Sequence, residues 1–194
     1  MAVPSPLLAE KRSLRAEALR RRRAFAADLP AAQRVELEDA LARLVLPHVE
    51  KAGIVASYVA MDEEIGTGPI LAALRPGQRN ALPWFAERDS PMLWREGPAV
   101  ELGFSGIPQP AATSDALDPD VILVPLVLAD RRGTRIGFGK GHYDRALAGR
   151  LAKGHAMTIG IAWEIQISAV PLPAEPWDVR LDAIATPKEF IRCV

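Results

Sequence analysis

Apolar positions recur along this chain with two periods, and the places where one gives way to the other mark its elements. From Leu7 to Ala27, Leu14, Ala18, Leu19 and Phe25 form a partial apolar side at helical spacing. After the Pro30 turn, Val35, Leu37, Leu41, Leu44 and Val45 repeat near helical spacing as far as Pro47, which predicts a second helix given over to packing. Ile54 to Ala60, I-V-A-S-Y-V-A, is short and β-branched enough for a buried strand. A short helix is expected over Pro69 to Leu74, a strand over Arg79 to Pro83 and an edge strand over Met92 to Trp94. Asp120 to Leu128 holds the most apolar run of the sequence, Val121 to Leu128, and predicts the central strand. Tyr143, Leu147 and Leu151 then share one helical face, followed by a strand over Met157 to Trp163, a turn at E-I-Q-I and a last strand over Trp177 to Thr186. Buried strands alternating with helices predict one α/β domain over residues 1–194, with three α/β/α layers and a mostly parallel sheet.

Composition supports that picture and narrows the compartment. A chain of 194 residues, 49% of them apolar, can bury a full core. The 17 prolines fall between apolar segments, so they mark short connections and not disorder. With 24 basic against 24 acidic residues the net charge is zero, and bulk electrostatics points to neither a nucleic acid nor a membrane. The single cysteine, Cys193, permits no intrachain disulfide and no cysteine metal site. No apolar run approaches the roughly 18 residues of a membrane span, and no signal-type apolar core follows the basic residues near the start. A cytoplasmic protein is expected.

The candidate chemistry lies where the central strand ends. Asp130 to Arg145 reads D-R-R-G-T-R-I-G-F-G-K-G-H-Y-D-R, which predicts a glycine-rich turn between strand and helix. Glycine reaches positive φ and has no Cβ to keep a ligand from the backbone. The N–H groups and dipole of a following helix favour an anion, and Lys140, Arg135, Arg131 and Arg132 add charge around it. The stretch is not a Walker loop, because Thr134 stands at its first glycine and Gly141 follows the lysine. Nor is it the dinucleotide fingerprint, whose last glycine is His142 here. A plain tight connection is the alternative.

Two further segments carry charge in patterns that suggest contact with a ligand. Lys11 and Arg15, in K-R-S-L-R, are four residues apart on one helix face and could clamp a polyphosphate. The Arg20 to Arg23 run reads as a solvated helix face. Met61 to Ile65, M-D-E-E-I, follows a buried strand at the carboxyl edge, where open α/β sheets keep ligands; a solvated turn is the competing reading for Asp62 and Glu63. Phe104 to Pro110, F-S-G-I-P-Q-P, is a rigid loop without chemistry of its own, of a kind that can line the pocket of a flat ligand.

Taken in order, K-R-S-L-R, M-D-E-E-I, I-P-Q-P, G-T-R-I-G-F-G-K-G-H-Y-D-R and W-D-V-R-L-D resemble the 5-formyltetrahydrofolate cyclo-ligase (5,10-methenyltetrahydrofolate synthetase) family over nearly the whole chain, Lys11 to about Thr186. The resemblance implies a fold similar to the ribose-phosphate isomerase and CoA-transferase group. It also implies an ATP- and Mg²⁺-dependent ring closure of 5-formyltetrahydrofolate that releases ADP and phosphate. Lys11, Arg12, Ser13, Leu14 and Arg15 would contact ATP, together with Arg135, Ile136, Gly137, Phe138, Gly139, Lys140, Gly141, His142 and Tyr143. Folate would meet Arg15, Val59, Glu64 and the Phe138 to His142 segment. Lys140 and Arg135 would stabilise the transferred phosphoryl group, and Asp144 and Asp178 would bind magnesium. His142 stands where the family usually has the first of two tyrosines. Small molecules are the only partners implied, and a monomer is the expected state. Two other readings are a non-catalytic folate- or nucleotide-binding module and an RNA-binding protein using the Arg20 to Arg23 run; zero net charge and the lack of interleaved aromatics weigh against the second.

Overall fold

A computed structural model describes residues 6–61, 63–103, 106–151 and 156–194. Asp62, Phe104 and Ser105 of the segments above lie outside the described residues, as does the side chain of Leu151. In chain order the elements are α1 (Pro6–Asp28), α2 (Ala31–Val49), β1 (Ile54–Ala56), α3 (Gly68–Ala72), β2 (Arg79–Trp84), β3 (Leu93–Glu96), β4 (Glu101–Leu102) and β5 (Pro108–Gln109). There follow β6 (Val121–Pro125), β7 (Leu128–Asp130), β8 (Arg135–Ile136), α4 (His142–Leu151), β9 (Met157–Ile161), β10 (Ile167–Ser168), β11 (Ala183–Ala185) and β12 (Phe190–Arg192).

A seven-stranded sheet runs in the order β12-β11-β9-β6-β1-β2-β3. The strands from β11 to β2 are parallel, and the edge strands β12 and β3 are antiparallel. Side chains of a strand alternate between faces, so β6 sends Val121 and Leu123 to one core and Ile122 and Val124 to the other. The first core is covered by Leu41, Val45 and Val49 of α2 and Ile70 of α3. Leu147 of α4 covers the second. This is the expected layering of helix, mostly parallel sheet and helix.

The predicted central strand is two strands. β6 ends at Pro125, which pairs with Ile161 but has no N–H to extend the ladder. Leu128 to Asp130 then joins a separate three-stranded sheet, β10-β7-β8. The glycine-rich stretch is divided accordingly. Asp130 to Thr134 closes a tight β7–β8 hairpin: Gly133 N donates to Asp130 O at 3.1 Å, and Asp130 N to Thr134 O at 3.0 Å. The Asp130 carboxylate fastens it by accepting from the N–H groups of Arg132 (2.9 Å) and Thr134 (3.1 Å). Gly133 sits at φ 84°, the left-handed residue such a loop requires. Only Gly137, Gly139 and Gly141 remain for the loop into α4.

Two other boundaries differ for similar reasons. β1 stops at Ala56; Ser57 N still donates to Ala81 O at 2.8 Å, and the chain then turns toward the sheet's carboxyl edge. Trp177 to Asp182 leads into β11 as a loop, because Leu181 N bonds to Gly133 O at 3.0 Å in place of a strand neighbour. β12 was not expected from the pattern. It is a short edge strand, with Ile191 the buried one of its three residues.

Gly133 makes the sharpest stability prediction of the fold. A Cβ there would lie 2.4 Å from Leu181 O and 3.0 Å from Cys193 Cβ, in a backbone conformation L-residues avoid. Gly133→Ala should cost about 3 kcal/mol or more in urea unfolding. A loss under about 1 kcal/mol would show that the hairpin tolerates a different turn.

Candidate active site

Helix α1 lies across the carboxyl end of the sheet. Its Leu14, Ala18 and Leu19 pack on Val127, Leu128 and Ile136, and Phe25 meets the ring of Trp163 at 5.3 Å. Between α1, the glycine loop and the ends of β1, β2 and β6 is a cleft of about 960 Å³. This is the edge at which open α/β sheets keep ligands. The cleft has an apolar side, with Phe85, Met92, Ile107 and Pro108, and a charged side, with Lys11, Arg12, Arg15, Lys140 and Arg145.

The charged side is built on the loop from Gly137 to Gly141. Arg15 Nε donates to Gly137 O at 2.6 Å, and its guanidinium lies against Gly139, where a Cβ would come within 3.1 Å of Cζ. Gly139 and Gly141 have φ of 85° and 66°. Arg145 Nη1 donates to Lys140 O at 3.0 Å and occupies the space a Cβ on Gly141 would need. The loop therefore wraps guanidinium groups closely and delivers the chain to the start of α4 at His142. That helix end favours an anion, and exposed Lys140 stands beside it.

Arg135 and Lys11 are the buried cations of this wall. Arg135, 8% exposed, donates from Nη2 to Asp144 Oδ1 at 2.6 Å and from Nη1 to Val179 O. Burial lowers its pKa, against the pull of Asp144 and Asp178. Lys11 Nζ pairs with Asp178 and lies 3.7 Å from Glu175 Oε2. Asp178 also accepts from Glu175 N at 2.8 Å. Each predicted magnesium ligand thus holds a cation of the protein, and among the described residues no group of three or more His, Cys, Asp or Glu is placed to hold a metal.

The apolar side contains the acid. Glu64, 5% exposed, lines the cleft with Val59, and its Oε2 accepts from Met61 N at 3.0 Å. Burial pushes its carboxyl above the usual range; Met61 N–H and Arg22 oppose that, and Glu63 adds to it. Tyr143 meets the ring of Trp94 at 6.0 Å, and its hydroxyl is buried without a hydrogen-bond partner. His142 touches the Phe85 ring edge-on at 4.8 Å, and its Nδ1 lies 3.1 Å from Arg145 Nη2. Burial, then Arg145 and Lys140, lower its pKa, so the ring is neutral at neutral pH.

Two of the predicted residues fall away from the cleft: Ser13 is exposed on α1, and Leu14 packs into the small core beneath it. The others line it. The Arg20 to Arg23 run is corrected in part, since Arg22 is 1% exposed while its three arginine neighbours face solvent. The signal was present in the helical phase: Lys11, Arg15, Ala18 and Arg22 form a stripe at helical spacing, and all but Arg15 are buried. Phe85 and Glu175 also line the cleft without a motif to announce them, and Trp177, which opens W-D-V-R-L-D, joins them. Ile107 to Gln109 lines it too, though not purely as a loop, since Pro108 and Gln109 form β5 against β4, and Gln109 exchanges two 3.1 Å hydrogen bonds with the backbone of Phe85.

The family model of 5-formyltetrahydrofolate cyclo-ligases matches residues 8–187, a span that holds every cleft-lining residue and all strands but the edge strand β12. The chain belongs to the 5-formyltetrahydrofolate cyclo-ligase family. A 5-formyltetrahydrofolate cyclo-ligase of Mycolicibacterium smegmatis is 35% identical over 149 residues, covering 71% of this chain and 75% of that protein. One from Escherichia coli is 30% identical, over 75% and 84%. The solved structure of Aquifex aeolicus 5,10-methenyltetrahydrofolate synthetase superimposes with a TM-score of 0.77 at 27% identity, covering 94% of this chain and 92% of that one. That of the Mycoplasma pneumoniae synthetase has a TM-score of 0.71 at 23% identity and speaks to fold alone. Membership identifies a ligase converting 5-formyltetrahydrofolate to 5,10-methenyltetrahydrofolate, a catalyst and not a binding module. Among the described residues no helix is long and apolar enough to cross a membrane.

Proposed function

We propose that the cleft binds ATP on its charged side and 5-formyltetrahydrofolate on its apolar side, and joins them at the Gly137 to Tyr143 loop. The single observation behind this reading is that one cavity carries both a cationic glycine loop at a helix start and a buried carboxylate among apolar side chains. The cyclo-ligase family is generally ATP-dependent. A formamide carbon is a poor electrophile. Transfer of the γ-phosphoryl group to the formyl oxygen would activate it; the second folate nitrogen then attacks that carbon, and the C–O bond breaks to release phosphate, which leaves with the proton given up by the attacking nitrogen. Such chemistry asks the protein for positioning and charge stabilisation. Lys140 would follow the transferred phosphoryl group, Arg15 would hold the loop around it, and Arg135, fixed by Asp144, would keep the wall positive. Glu64 would hold the folate, with Val59 beside it.

Mg²⁺ accompanies ATP in this reading. It is a hard ion, held in phosphate sites by one or two carboxylates with phosphate and water completing the shell, and Asp144 and Asp178 have that donor chemistry. Bound there it would neutralise charge on the phosphates. Lys11 pairs with Asp178 and Arg135 with Asp144, so the cations that would face the phosphates and the acids that would face the metal lie side by side. The partners are small molecules, and we read the protein as a cytoplasmic monomer.

The test mixes protein, 5-formyltetrahydrofolate, ATP and Mg²⁺ and follows the absorbance of the methenyl product; no ATP-dependent product would sink the proposal. In this reading His142 lines the cleft against the ring of Phe85, and the ring closure asks for no side-chain nucleophile. His142→Phe should therefore retain turnover within about tenfold, where loss of a general acid or base costs about 10²–10⁴. A loss in that higher range would give His142 a proton-transfer role.

A further inference from the structure

Arg22 is the most deeply buried cation among the described residues. It is not on the cleft wall; it lies behind it, on α1. One nitrogen, Nη1, makes both of its hydrogen bonds, to Glu64 Oε1 and Leu126 O, each at 3.4 Å. Nη2 is 3.6 Å from Glu63 Oε2, and neither Nε nor Nη2 has a hydrogen-bond partner. The guanidinium also lies over the ring of Phe138, 5.4 Å from its centroid. For stability alone this is a poor use of a buried charge, because long, incomplete hydrogen bonds do little to offset desolvation and an apolar side chain would serve as well. What distinguishes the site is what it touches: Glu64 on the folate side of the cleft and Phe138 in the phosphate loop.

We propose that Arg22 is a positioning residue that holds the carboxylate of Glu64 and the ring of Phe138 in one arrangement, so that the two halves of the cleft share a single buried cation. For the contact of Glu64 with folate this rests on the reading above. Arg22 is the cation nearest the Glu64 carboxylate. Arg34, from α2, donates instead to the main-chain oxygen of Glu64 and pairs with Glu38 at 3.1 Å. The other groups facing Glu64 are acidic or neutral: Glu63 beside it, Tyr58 beyond β1, whose hydroxyl donates to Ile65 O at 2.7 Å, Tyr143 of α4, and Glu38 near Tyr58. Burial already favours the protonated acid, and Arg22 opposes it. Without Arg22, Glu64 takes up its proton at a higher pH and the folate side loses its charge first. Phe138, 45% exposed, loses the cation beneath it at the same time.

The experiment uses the full chain with Arg22→Met and Arg22→Lys and two readings. The first is the pH titration of the Glu64 carboxyl in the ligand-free protein by carbon-13 NMR. The second is KM for 5-formyltetrahydrofolate and for ATP between about pH 6 and about pH 8.5. In Arg22→Met the carboxyl should titrate about one pH unit higher, and folate KM should rise about tenfold near pH 6 and fall back toward the wild-type value as pH rises. ATP KM should rise about twofold to fivefold through Phe138. Arg22→Lys, which keeps the charge without the fork, should fall between, and it carries the comparison if the methionine variant does not fold. A carboxyl that titrates at the wild-type pH in both variants overturns the proposal. A shifted carboxyl with an unmoved folate KM would leave the Arg22–Glu64 coupling standing and place the error in the folate contact of Glu64.

Discussion

Replacing Lys140 by alanine should lower kcat by about 10²–10³, with the unfolding midpoint unchanged. Lys140 is exposed on the loop that leads into α4, so little packing is lost with its side chain. Its proposed contribution is a positive charge beside a helix start, where three glycines let the backbone come close. If, as proposed, the charge acts most strongly on the phosphoryl group in flight, kcat should suffer more than KM for ATP. Lys140→Arg should recover part of the rate, because it restores the charge with a different reach and geometry. Wild-type turnover in Lys140→Ala would remove the glycine loop from the chemistry.

Asp144→Ala should lose turnover comparably and also lose stability. It leaves Arg135, whose side chain is 5% exposed, with Val179 O as its remaining acceptor. Breaking a fully buried pair costs about 3–5 kcal/mol; the Asp144 side chain keeps 31% of its surface in water, so about 2 kcal/mol is expected here. Asp144→Asn separates the two effects. Its amide oxygen can still accept from Arg135, so stability should stay within about 1 kcal/mol of wild type. Its lost charge should nonetheless reduce turnover about as far as alanine does. If Asp144→Asn melts like wild type and also turns over like wild type, Asp144 is an anchor for Arg135 and not a magnesium ligand.

The reading of Lys11 and Arg15 rested on helix phase, which side-chain geometry respects regardless of context, and both line the cleft. The sheet-edge rule points to the M-D-E-E-I run as a whole and needs no coordinates; only the family resemblance singles out Glu64 within it. The glycine-rich stretch was harder. Gly133 and Gly139 look alike in sequence, yet one turns a hairpin against Leu181 and the other receives the guanidinium of Arg15. Their different neighbours come from segments far away along the chain.

What the sequence by itself determined is periodic or local: the helices, the buried strands, the alternation that makes an α/β sheet, and the motifs that place the chain in its family. These depend on residue spacing and on turn chemistry, both of which can be counted along the chain. The tertiary structure alone decided which acids Arg22 meets, that Pro125 ends the central strand and diverts Leu128 into a second sheet, and that Asp144 and Asp178 are held by Arg135 and Lys11. Those outcomes depend on long-range partners, whose charge and bulk select among local arrangements that are equivalent along the chain.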